Sequence, residues 1–167
     1  MPFNLLKHYN QLLDINGMNV QNRTSSLKGI FERDFVEKQP VSFKGKRVIP
    51  TPANGSISMD TLFSHLTTAI VDEKTRTRDY ESERSQRLHW VKFHLDSKKE
   101  INILFFSVKE PEGIRTYIYD IDEKYVIVLE PKHENVYFLL TAYKVRGRDA
   151  ARNKIMKKYK RKLNDVL

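Results

Sequence analysis

The chain has 167 residues, no cysteine, and a formal net charge of +9, with 30 Lys and Arg against 21 Asp and Glu. That length suits one domain with a real core, and the absence of cysteine excludes disulfides and thiolate metal sites. No apolar run approaches a membrane span and the opening Met-Pro-Phe-Asn lacks a secretory signal pattern, so a soluble cytoplasmic protein is expected.

In chain order, Leu5, Leu6, Tyr9, Leu12 and Leu13 recur at helical spacing and predict a first helix over 4–14, stopped at Asn16-Gly17. A second helix is predicted over 24–37, with Leu27, Ile30, Phe31 and Phe35 as its apolar stripe. Pro40 ends it, because the residue before a proline is pushed out of the helical region. Residues 41–49 alternate around Lys44-Gly45-Lys46 and read as a small hairpin or an extended lead-in. The Pro- and Gly-bearing stretch 50–56 is the clearest loop, dividing an N-terminal helical segment (1–55) from an α+β unit (56–167) that forms one compact body with it.

Ser58 is placed to cap a third helix over 59–72 that buries Leu62, Phe63, Leu66, Ala69 and Ile70. The polar stretch 73–82 reads as an exposed, flexible connection. Residues 83–95 fit a strand or a helix, and the helix explains more of them: Leu88, Val91 and Leu95 face the core, beside a stripe of Arg84, Arg87, Trp90 and His94. Four apolar, β-branched and aromatic runs then fill 101–143. The gaps between them are too short for parallel crossovers, so they predict an antiparallel meander. A last helix is expected over 148–163, with Ala151, Ile155, Tyr159 and Leu163 spaced by fours and Met156 alongside. Ten of the thirty Lys and Arg, and one of the twenty-one acids, fall between Lys144 and Lys162, leaving twenty of each elsewhere. The expected fold is therefore α+β: N-terminal helices on one face of a four-stranded antiparallel meander, followed by a basic C-terminal helix.

A localised basic face points to RNA or DNA, although a solvated, solubilising helix face explains the charge equally well. The sequence has no phosphate-cradling glycine loop, no His-Glu-x-x-His and no nucleophile elbow. Its five histidines are dispersed, and His89 and His94 would diverge by about 140° on one helix, so neither a metal nor a cofactor is expected. Arg, Lys, His and Tyr remain. Such groups suit metal-free RNA cleavage by the 2′-hydroxyl, which needs proton transfer and positive charge on the phosphorane. Strict alternation would put Arg115, Tyr117 and Tyr119 on one face, and Tyr137, Thr141 and Tyr143 on one face of the last strand. Each has a plainer explanation: Tyr and Thr are good strand formers, Arg115 could simply pair with Glu130, and Trp90 suits a core.

The order of helices, then Arg84-x-x-Arg87-Leu88-His89-Trp90, then four strands ending Tyr137-Phe138-Leu139-Leu140-Thr141-Ala142-Tyr143, then a basic helix, resembles a known group. It is similar to the phage-associated branch of the barnase/EndoU/colicin D/RelE-like ribonuclease superfamily over about residues 59–163. Leu88-His89 stands where that pattern has Ile-Pro. The resemblance implies roles for Arg84, Arg87, Trp90, Thr141 and Tyr143.

The expected activity is thus a metal-independent endoribonuclease of phage or toxin type. Arg84, Arg87 and Arg115 would bind phosphate, and His89 or Tyr143 would transfer protons. Lys144 and Arg146 would guide the RNA, with Lys157, Lys158, Lys160 and Arg161 on the last helix. RNA, tRNA included, and an acidic inhibitor or antitoxin are the expected partners. The alternatives are a non-catalytic nucleic-acid binder using the basic helix and a protein-interaction module of a mobile-element or defence system.

Overall fold

The structure is a computed structural model that describes the backbone of residues 2–167 and the side chains of residues 4–167. After a single turn, α1 (Pro2–Leu5), come α2 (Val20–Phe31) with a π-helical extension (Glu32–Glu37), and the strands β1 (Ser42–Phe43) and β2 (Lys46–Pro50). Then follow α3 (Met59–Thr67), β3 (Thr68–Asp72), β4 (Thr77–Tyr80), α4 (Ser82–Ser85) and α5 (Leu88–Leu95). The strands β5 (Ile103–Glu110), β6 (Gly113–Asp120), β7 (Tyr125–Lys132) and β8 (Val136–Lys144) precede α6 (Gly147–Ala151) and α7 (Lys154–Lys160).

The main sheet is not a four-stranded antiparallel meander. It has six strands in the order β1-β2-β8-β7-β6-β5, and β2 runs parallel to β8, so the sheet is mixed. A meander of four strands leaves one edge of β8 with unpaired backbone groups, and β2 satisfies part of that edge from far away in sequence. The β1–β2 hairpin turns at Lys44 and Gly45, whose φ values of 47° and 78° suit a two-residue turn of the twist-matching type.

Four expected helices change. Residues 4–14 do not form one: the chain leaves α1, and the buried Asn4 side chain staples an irregular loop by bonding Asp14 and Ser26. Leu5, Leu6 and Leu12 stay exposed, whereas Leu13 and Ile15 enter the core. Ser58 caps α3 as its sequence suggests, accepting from the Thr61 N–H. The helix nevertheless ends at Thr67, and residues 68–80, expected as a helix end and a connection, form the β3–β4 hairpin. Residues 83–95 divide into α4 and α5, with Arg87 outside helical geometry. The last helix is likewise interrupted, at Asn153 in the left-handed region (φ 49°).

The sheet has a core on each face. On one, Ile118, Tyr125, Ile127, Leu129, Tyr137 and Leu139 pack with α2, α3 and α5 through Leu27, Ile30, Leu66 and Trp90. On the other, Phe106, Tyr117, Val126 and Val128 meet Val145 and Ile155 from the C-terminal segment. A polar hub joins the N-terminal loop to the sheet: buried Asp120 accepts from Tyr9, Lys99 and His94. Among the described residues no helix is long and apolar enough to cross a membrane.

Candidate functional site

A bulge in β8 shapes the site. Val128 pairs with Thr141 but Leu129 pairs with Leu139, which leaves Leu140 as an extra residue. Strict alternation is thereby broken: Tyr137 belongs to the helical-side core, while Leu140 and Tyr143 pack with the opposite one. Because β2 pairs only with Val136–Leu139, the rest of that β8 edge is left to α3 and α4, which pack beside it.

Two cavities meet at Arg84 in this corner. One, of about 200 Å3, is lined by His65, Arg76, Arg78, Arg84, Leu140 and Thr141. The other, of about 190 Å3, includes Glu81, Arg84, Tyr143, Lys144 and Arg146. Leu140 and Thr141, consecutive in sequence, line the same cavity because the bulge turns both toward it.

Arg84 Nη1 donates to the carbonyl oxygens of His65 (2.9 Å) and Thr68 (3.0 Å), fixing the guanidinium against the end of α3. Its Nε is buried without a partner. Among the described residues no carboxylate forms an ion pair with it; Glu81 accepts instead from the Arg84 backbone N–H (2.6 Å). Arg78 donates to Thr68 Oγ1 and O, both at 2.8 Å, and likewise meets no acid there. Burial holds the Arg84 guanidinium below the ordinary arginine range; burial and then the Arg84 charge do the same for Arg78. Glu81 offsets the Arg84 charge only in part, without an ion pair, so two partly desolvated guanidiniums side by side remain electrostatically unfavourable, and a bound anion would relieve them.

The same surroundings act on His65. Burial lowers its proton affinity first, and the charges of Arg78 and Arg84 lower it further. Burial raises the Tyr143 hydroxyl above the ordinary tyrosine value, so it is protonated at neutral pH. In the second cavity Arg146 pairs with Glu81 (3.0 Å) and Glu83 (2.8 Å).

Of the residues singled out from the sequence, Arg84, Thr141, Tyr143, Lys144 and Arg146 come together here. Arg87 does not: it is buried, donates to the Glu83 carbonyl (2.7 Å) and packs over Trp90. Trp90 is a core residue, 1% exposed, that donates to the Gln11 carbonyl. His89 lies beneath the N-terminal loop, bonded to the His8 carbonyl at 3.0 Å. Burial pushes its imidazole down to about 4. Arg115 forms the cross-strand pair with Glu130 (2.5 Å). The register places Tyr143 level with Val126 and Tyr119, four residues or about 13 Å along the strand from Arg115. Lys158 of α7 and Arg161, its C-cap, are tied to Glu110, while Lys157 and Lys160 are exposed.

His65, Arg76 and Arg78 escaped the sequence reading. The one signal for them was the density of Arg between residues 76 and 87. Among the described residues no group of three or more His, Asp or Glu is arranged to hold a metal ion. No family model, no curated protein and no solved structure matches this chain.

Proposed function

We propose that the chain is a metal-independent endoribonuclease, of the phage- or toxin-associated kind its sequence resembles, acting on cytoplasmic RNA at the Arg84 corner. The observation that carries the reading is the Arg84 guanidinium, its Nε buried without a partner, shared by two cavities and accompanied in one by Arg76, Arg78 and His65. A phosphodiester fits that charge, and the phosphorane formed on 2′-hydroxyl attack, which carries more negative charge, fits it better. Thr141 and Tyr143 supply hydroxyls on the strand, and Lys144 and Arg146 lie where a flanking phosphate would pass. An acidic inhibitor protein would find its complement on the same surface.

The test is incubation of the purified chain with total RNA and with tRNA in EDTA, beside Arg84→Ala and Arg76→Ala variants. Arg76 is the safer substitution for the fold, because it is exposed and pairs with the exposed Glu73 at 3.0 Å. Fragments with 2′,3′-cyclic phosphate ends, lost or slowed in both variants, are expected. Intact RNA with retained, salt-sensitive binding would replace this reading with non-catalytic nucleic-acid binding. That second reading is favoured by one observation: the exposed Lys157 and Lys160 offer charge outside either cavity.

A further inference from the structure

We propose that His65 is the proton acceptor of the cleavage step, and that the phosphate seated beside Arg78 and Arg84 is what turns it into an effective base. This rests on the ribonuclease reading and names the group that reading leaves open, since of the two sequence candidates His89 lies under the N-terminal loop and Tyr143 lines the other cavity with its hydroxyl raised by burial.

His65 closes the last turn of α3, and its backbone carbonyl is held by Arg84. His65 lines the 200 Å3 cavity with Arg76, Arg78, Arg84 and Thr141, and its ring feels the charges of Arg78 and Arg84. No protein group among the described residues bonds its ring, in contrast to His89 and His94, whose rings are engaged by the His8 carbonyl and by the Trp90 carbonyl and Asp120. A cavity of this size accommodates a phosphate and part of a ribose, so a 2′-hydroxyl next to a phosphate held by the arginines lies within reach of the ring.

Electrostatics supply the coupling. The charged groups lining the cavity are Arg78 of β4, Arg76 of the turn before it and Arg84 of α4, all cationic, while β8 contributes only Leu140 and Thr141. In the empty cavity they disfavour an added proton on His65, so the ring is neutral and able to accept one. A bound phosphate offsets those charges, and the ring binds a proton more readily once substrate is present. In the step itself the 2′-oxygen bonds to phosphorus as the bond to the 5′-oxygen breaks. The 2′-hydroxyl proton passes to His65, and the departing 5′-oxygen takes a proton from water. The products are a 2′,3′-cyclic phosphate and a 5′-hydroxyl.

The experiment uses the full chain and a 5′-labelled single-stranded RNA in EDTA. Single-turnover rates are followed against pH for the parent, His65→Ala and His65→Gln, with and without added imidazole. In parallel, the His65 ring is titrated by NMR, alone and with an uncleavable 2′-deoxy strand. Both variants should lose about 10²- to 10⁴-fold in rate together with the ascending limb of the profile. Imidazole should restore part of the His65→Ala rate, and the deoxy strand should move the ring titration to higher pH. A parent that cleaves while both variants keep its rate and profile overturns the His65 assignment and leaves the ribonuclease reading standing. A ring titration unmoved by the deoxy strand overturns the coupling. A parent that never cleaves overturns the ribonuclease reading, and His65 with it.

Discussion

Arg84 donates to the main-chain carbonyl of His65 across 19 residues of sequence, at 2.9 Å, so the cation at the centre of the site also fixes the end of the helix that carries the histidine. Position and charge are therefore linked: the guanidinium that would hold a phosphate also adds, after burial and Arg78, to what lowers the proton affinity of its neighbour. Arg84→Lys keeps a charge but, once its single ammonium meets the two carbonyls that Nη1 now bonds, lacks the Nε and Nη2 donors that remain for an anion. It should lower RNA cleavage by about 100- to 1000-fold, the scale for losing one transition-state donor. Single-turnover cleavage, with circular dichroism to verify the fold, checks this.

His89 should matter to stability and not to cleavage. Its folded proton affinity is lowered to about 4, below the ordinary value of 6.5, so the unfolded chain binds more protons across that window. Stability is fully present above about 6.5 and is lost as pH falls toward 4, by a few kcal/mol at most at about 1.36 kcal/mol per pH unit. His65, lowered in the same direction, adds to the slope. Urea unfolding at stepped pH should show this decline, and His89→Gln should flatten most of it while leaving the neutral-pH cleavage rate of the folded protein at the parental level. An unchanged slope in the variant would show that another group carries it.

Arg115, paired with Glu130 on neighbouring strands, should behave as a sheet residue. Arg115→Ala is expected to destabilise the chain by about 0.2–1 kcal/mol, the range for a cross-strand pair, without altering RNA affinity. A fall in affinity of tenfold or more in a filter-binding titration would place it in the site after all.

The basic helix divides in two. Lys158 and Arg161 are held by Glu110, whereas Lys157 and Lys160 are exposed. Removing the exposed pair should reduce the slope of log affinity against log salt by about 0.7 for each charge that meets a single strand. Arg161→Ala should change it less, because its charge is partly met within the protein. Equal effects from all positions would mean that the Glu110 contacts open when RNA binds.

Local pattern was legible where the relevant interactions are local. The β-branched and aromatic runs between residues 101 and 143 form strands because side-chain period and short turns act within a few residues. Ser58 caps a helix by reaching the N–H three residues on, and Lys44-Gly45 turns a hairpin through its own dihedral angles. The positive charge after Lys144 is likewise a matter of composition alone. What closed the sheet was not local. The β2–β8 pairing joins residues some ninety apart, and nothing in either segment names its partner. The helical spacing at 4–14 was real but lost to the burial of Asn4, Leu13 and Ile15, which an irregular loop satisfies better. His89 and Arg87 look functional in sequence and are buried in fact, because α5 is covered on a side its periodicity cannot reveal. The site depended on tertiary structure most of all. One extra residue, Leu140, reset the faces of β8, and an unexpected hairpin brought Arg78 beside His65 and Arg84. Sequence determines which residues carry charge and which prefer strand or helix; only long-range packing decides which charges are desolvated side by side.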